Sequence, residues 1–360
     1  MTGTVMRTAL RRAIAQIKYV HPVRPGAATG TVADVYRQVE DEFGMLAPPT
    51  ALHSPAPGAL AASWVLLRET LLATGQVSRA AKEAVAAAVS LANGCPYCVE
   101  VHSTALRGLD AKAAADALGH GRFDSLTDPD LRALTAWARA TGDRDNATPV
   151  PAPTEHVPEL LGVAMTFHYL NRMVNIYLGE SPLPPNAPAA ARNAAHWMLA
   201  KVMRPGATRR PGAALTLLPD AALPGDLGWA AANPTVTDAL ARVCAAVDGA
   251  ARDAVPPPVR TVVHDYLAAW DGRPAGLSRA WVDDAVGCLP DGQRAVGRLT
   301  LLTAIAAYQV DEQIMADARA HGLDDGGLVA ATSWASLAAA RRVSTWTPAA
   351  VPMMPAVPAP

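Results

Sequence analysis

The sequence predicts an all-α protein: a helical bundle built on an internal duplication, with a degenerate second copy. Three observations lead there. Alanine, the strongest helix former, dominates long stretches of the 360 residues, and aromatic residues make up only 5%. No segment keeps strand-like alternation over its length. Val259 to Tyr266 comes nearest, and helix fits it as well. Finally, Arg107-Gly108-Leu109-Asp110 returns as His321-Gly322-Leu323-Asp324, each time after an alanine-rich helix pair, Ala84 to Leu106 and Arg298 to Ala320. In both copies the glycine reads as a helix C-cap.

Met1 to Val20 reads as an amphipathic helix, with Met6, Leu10, Ile14 and Ile17 at helical spacing. No apolar core follows Arg11-Arg12, so no export signal is expected and the chain reads as cytoplasmic. Pro22, Pro25 and Gly26 mark a loop over 21–33, and Pro48, Pro49, Pro55 and Pro57 mark another over 47–58. A helical block runs from about Leu60 to Thr141. A proline-rich linker over 148–158 leads to a helix from about Glu159 to Tyr177. Prolines from Pro182 to Pro188 interrupt it, and a helix resumes over Ala189 to Met203. After a loop-rich stretch over 205–234, a third block runs from about Thr235 to Trp346. These breaks divide the chain into an N-terminal helix and loop (1–47), a helical domain (48–205), a repeat-like half (206–346) and a disordered Pro/Ala-rich tail (347–360).

Net charge is −1 and the basic residues are scattered, which argues against nucleic acid or a membrane surface as partner. The longest apolar stretches, such as Leu299 to Tyr308, fall short of the ~20 residues a bilayer needs. Four cysteines are too few for a disulfide scaffold. Cys244 and Cys288 read as buried core thiols, whereas the close pair Cys95 and Cys98 reads as catalytic or metal-binding.

The pair sits in Cys95-Pro96-Tyr97-Cys98-Val99-Glu100-Val101-His102. Ser78 can N-cap a helix through Glu83 to about Ala92, which Asn93-Gly94 breaks. Proline favours the first helical position, so a new helix should start at Pro96 with Cys95 as its N-cap. A thiolate there gains from free amides and the helix dipole, which predicts a lowered Cys98 pKa. The spacing puts Cys95, Cys98 and His102 on one helix face. Glu83 lies on the preceding helix. If it comes near, it would accept a proton through water or His102. Two competing readings are a pair of core thiols and a zinc site. Zinc would want a fourth ligand, and no second Cys/His pair stands at ligand spacing.

A second feature is Phe167 to Tyr177, where His168, Asn171, Arg172 and Asn175 form a polar stripe on an apolar helix. It reads either as a solvated face or as a buried stripe lining a pocket or subunit interface. The other histidines show no metal spacing.

Glu83, eleven intervening residues, then Cys95-x-x-Cys98-x-x-x-His102 resembles the alkylhydroperoxidase AhpD-like branch of the carboxymuconolactone decarboxylase superfamily. The match is strong over about 75–125 and weaker, without the site, over about 295–345. The resemblance implies an all-helical, oligomerising thiol peroxidase with no bound cofactor or metal. It implies that Cys98 attacks a hydroperoxide, that Cys95 resolves the sulfenic acid as a disulfide, and that Glu83 and His102 relay the proton. It also implies reduction by a dithiol donor, such as a lipoyl group on a partner protein, or electron transfer to a peroxiredoxin. Tyr97 departs from the family pattern, which has histidine between the cysteines, and is expected to line the pocket. Two further readings keep the fold: a decarboxylase-like enzyme on a small carboxylate held by Arg172, and a non-enzymatic redox-responsive protein.

Overall fold

The computed structural model describes residues 12–43, 45–183, 194, 196, 197, 200 and 209–347. Most of the helix expected over 189–203, the tail, and Met6 and Leu10 lie outside the described residues. No strand occurs among those described. The helices are α1 (Gly30–Phe43), α2 (Pro48–Ala51), α3 (Pro57–Leu67), α4 (Arg79–Ala92), α5 (Pro96–Gly108), α6 (Lys112–Gly119), α7 (Pro129–Ala140), α8 (Val157–Tyr177), α9 (Pro234–Ala250), α10 (Pro257–Ala269), α11 (Ala280–Val286), α12 (Asp291–Ala306), α13 (Glu312–Ala320) and α14 (Asp325–Ser344). Val259 to Tyr266 is helical, within α10.

Many helices begin on proline, where the first turn needs no amide donor: α2, α3, α5, α7, α9 and α10 all do. Side-chain caps fix other starts. Ser78 accepts from the Ala81 amide, Asn233 from Val236, and Asp324 from Gly327.

Three expectations are corrected. Among the described residues 12–20 of the expected N-terminal helix, the helical part is a short 3₁₀ turn, Arg12–Gln16, and Ile14 within it and Ile17 after it pack on the core. The loop expected over 21–33 ends early, because α1 starts at Gly30. Cys288 is exposed rather than a core thiol, because it follows the end of α11 in a surface turn, whereas Cys244 is buried in α9.

One continuous apolar core runs from Val20 to Ala340. Its axis is the long pair α8 and α14, packed together and buried over most of their surfaces. Hydrogen bonds pin the pair: Tyr169 Oη meets Ser333 Oγ at 2.5 Å, and Tyr177 Oη meets Thr332 Oγ1 at 3.0 Å. On the other side α3 packs against α9. Buried ion pairs tie the loops to this frame. Arg68 bridges Glu69 and Glu42, each at 2.8 Å, and Glu69 accepts the amides of Gly212 and Ala214.

Each Gly-Leu-Asp segment stands at a helix end, in a different register. In α5 the last helical residue is Gly108, and Asp110 takes the left-handed turn at φ +62°. In α13 the corresponding turn falls on Gly322, at φ +99°. The closing bonds agree: the Ala111 amide donates to Leu106, and the Leu323 amide to Ala318. The helix ends therefore align two residues away from the Gly-Leu-Asp alignment. Gly108 is not a C-cap. It lies inside α5, where a Cβ would strike the Ala200 carbonyl.

Candidate active site

α4 and α5 form the site. Ser78 starts α4, which carries Arg79 and Glu83 on its first turns and Ser90 near its end. Asn93 ends it, and Gly94 turns the chain at φ +59°, a conformation that favours glycine. Cys95 is then the N-cap of α5, with Pro96 at the first helical position. The sequence-level account of this corner and the structure coincide.

The structure brings Glu83 to His102. Glu83 is fully buried, and its Oε2 lies 2.5 Å from His102 Nδ1. Its other oxygen accepts from Arg79, at 2.7 Å to Nε and 2.5 Å to Nη2. Burial opposes the charge on Glu83, but Arg79 and His102 outweigh it and hold the carboxyl below the usual range. Both carboxylate oxygens are thus engaged, and the His102 ring packs edge-on against Phe167 with centroids 4.5 Å apart. Among the described residues, no group of three or more His, Cys, Asp and Glu side chains could hold a metal ion.

Helix α5 acts as a partition. Cys95, Pro96, Val99 and Glu100 line a groove of about 1160 Å³. Tyr97, Cys98, Val101 and His102 line a small, largely apolar cavity of about 60 Å³ on the other side, with Phe167 and Leu170 of α8 opposite. As the N-cap, Cys95 has non-helical backbone, and its sulfur nevertheless adjoins that of Cys98.

Cys98 is buried, with the Cys95 thiol beside it. Burial, then the adjoining Cys95, push its thiol well above the ordinary range, while Asn171 pulls it down. The lowered pKa expected from the helix start alone is therefore not found, because desolvation outweighs the helix terminus. Tyr97 is buried. Burial and the two sulfurs push its pKa up, so it stays a neutral phenol.

The polar stripe of α8 is not a solvated face. His168 and Asn171 are buried, and Arg172 and Asn175 are only partly exposed. His168 sits between Asn93 Nδ2 (3.2 Å) and Thr141 Oγ1 (2.9 Å), and burial, then Arg172, push it down to about 3. Arg172 donates to the carbonyls of Ala304 and His168, at 2.8 and 2.6 Å. Its guanidinium is committed to backbone, so it lines neither space beside α5 and offers no carboxylate site there. Sequence reading missed Arg79, although Arg79 to Glu83 is an i,i+4 pair on one helix, and took Asn93 only as a helix breaker.

Two comparisons extend this geometry. Residues 58–140 match the model of the carboxymuconolactone decarboxylase family. A curated protein of Mycobacterium tuberculosis, named an alkyl hydroperoxide reductase, is 39% identical over 336 residues, covering 93% of this chain and 96% of that relative. On these two matches the chain belongs to the carboxymuconolactone decarboxylase family, in its AhpD-like branch.

Proposed function

We propose that the protein is a thiol-dependent peroxidase of the alkylhydroperoxidase type. The observation that carries this is the 2.5 Å contact between buried Glu83 and His102, with Cys98 lining the same cavity as His102. Ionised Glu83 accepts the Nδ1 proton of His102, which leaves Nε2 as a base. Cys98 and His102 line the same cavity, so Nε2 is placed to take the thiol proton. A raised Cys98 pKa makes that base necessary rather than optional.

The Cys98 thiolate then attacks the distal oxygen of a hydroperoxide. The S–O bond forms, the O–O bond breaks, and the alcohol leaves with the proton held by His102. Cys95 condenses with the sulfenic acid, giving a disulfide and water. A dithiol donor, such as a lipoyl group on a partner protein, returns two electrons and restores both thiols. The apolar cavity suits an organic hydroperoxide, and the name of the mycobacterial relative supports the same class. Electron passage to a peroxiredoxin, a homo-oligomeric state and a cytoplasmic location belong to the same reading. Among the described residues, no helix is long and apolar enough to cross a membrane.

The test is a free-thiol count before and after one equivalent of cumene hydroperoxide. Two thiols are expected to disappear together, and Cys98→Ser is expected to abolish peroxide consumption. Peroxide consumption by Cys98→Ser at the wild-type rate sinks the proposal.

A further inference from the structure

We propose that the apolar cavity beside Cys98 holds the alkyl group of the substrate, and that its size selects short unbranched hydroperoxides, of about two or three carbons, with Leu170 and Val174 setting the limit. This rests on the peroxidase reading of the site and names the substrate for it.

Size is the first argument. The cavity measures about 60 Å³ and is lined by Cys98 and His102. An apolar protein cavity of about 150 Å³ takes one benzene molecule, or about 25 Å³ per carbon. The space beside Cys98 therefore takes a short chain and no aromatic ring. Cumene hydroperoxide oxidises Cys98 with its ring left outside, and gains nothing from the cavity.

The lining is the second argument. Phe167, Leu170 and Val174 stand at i, i+3 and i+7 on one face of α8, and all three line the cavity. Phe167 is committed to the His102 ring. Leu170 and Val174 are buried and purely apolar, so what they contribute to the cavity is its boundary. Met45 and Leu67 complete the apolar lining. The α8 wall is held in place from behind. Tyr169, next to Leu170, and Tyr177, three residues past Val174, are pinned to α14 through their hydroxyls. A close-packed wall held this way does not recede for an extra methylene without strain. Each methylene that fits leaves water, which favours binding about fourfold. The first carbon past the limit gains nothing and displaces side chains.

The experiment reads the cavity through Cys98 and needs no peroxide. The full chain carrying Cys95→Ser is labelled with n-alkyl methanethiosulfonates from methyl to hexyl, and with the benzyl reagent. Exposed Cys288 in the same molecule is the reference for intrinsic reactivity. The Cys98 to Cys288 rate ratio, read by peptide mass spectrometry, is expected to rise about fourfold per methylene up to propyl. It should fall from butyl onward, with benzyl well below propyl. A flat series, or one still rising at hexyl, overturns the proposal. Leu170→Ala should move the maximum to a longer chain and raise benzyl about tenfold or more relative to propyl. Val174→Ala should move it the same way by less. A maximum unmoved in both variants overturns the assignment of the limit to these residues. If Leu170→Ala does not fold, Val174→Ala decides alone. Wild type is then given primary hydroperoxides of the same chain lengths. If none of them consumes thiols, the peroxidase reading fails, while the labelling still decides the cavity. If they consume thiols at one rate whatever their length, the selection proposed here is overturned and the peroxidase reading stands.

Discussion

At the scale of single residues, reactivity depends on a proton that is hard to remove. Cys98 gains from its helix start but loses more by burial beside Cys95. In the proposed mechanism the base is His102, whose orientation is fixed from behind, Arg79 to Glu83 to His102. Glu83→Gln keeps the shape and removes the charge that fixes the His102 tautomer. It is expected to lower peroxide turnover by about a hundredfold, within the usual range for acid–base assistance. Steady-state consumption of cumene hydroperoxide checks this, and a loss under threefold would remove Glu83 from the relay. Tyr97 replaces a histidine of the family pattern but does not replace its chemistry. A buried phenol held neutral passes no proton near neutral pH.

At the scale of elements, the later Gly-Leu-Asp segment is helical and carries none of the site residues, in either register. In the Gly-Leu-Asp alignment Glu83 falls on Gly297, Cys95 on Gln309, Cys98 on Glu312 and His102 on Ala316. Gly297 packs so closely on Leu289 and Val286 that a Cβ would collide with Leu289. Glu312 and Ala316 face solvent on α13, and Gln309 is used to bind the Gly276 carbonyl. Restoring a side chain at that position with Gly297→Ala should cost about 1–3 kcal/mol through overpacking. Urea unfolding would show it as a lower midpoint, and an unchanged midpoint would mean that α12 yields more easily than its contacts imply.

At the scale of the whole molecule, the two halves share a core, because α14 covers α8 and α9 covers α3. A chain cut after residue 205 would expose the apolar faces of α8 and α3. It is expected to lack a cooperative thermal transition by circular dichroism. A cooperative melt of that fragment would support the independent domain 48–205 read from the prolines. The same core buries two neutral histidines, His53 and His168, pushed down to about 4 and about 3. Burial causes both shifts, with help from Arg172 at His168. The unfolded chain binds these protons near 6.5 and the native state only far below. Stability is therefore lost as pH falls through the window from 6.5 to about 4, by up to about 3 kcal/mol for His53. Glu83, held low, adds a loss in the same direction at more acid pH. The urea midpoint should drop between pH 7.5 and pH 5, and His53→Gln should flatten that dependence. Equal slopes in wild type and variant would contradict it.

The sequence alone determined the corner that carries the chemistry. Asn93-Gly94 ends one helix, Cys95 caps the next and Pro96 begins it, because caps and breaks depend on a few adjacent residues. It also determined the all-α class, through alanine content and the absence of alternation. It did not reveal how deeply Cys98 is buried, since local spacing does not report desolvation. Nor did it reveal that the polar stripe of α8 is buried, because periodicity locates a face without saying what covers it. Only the tertiary structure joined Glu83 to His102, across 19 positions of the chain. That contact, and the burial that raises the Cys98 pKa, arise from helices packing on one another, which no local pattern encodes.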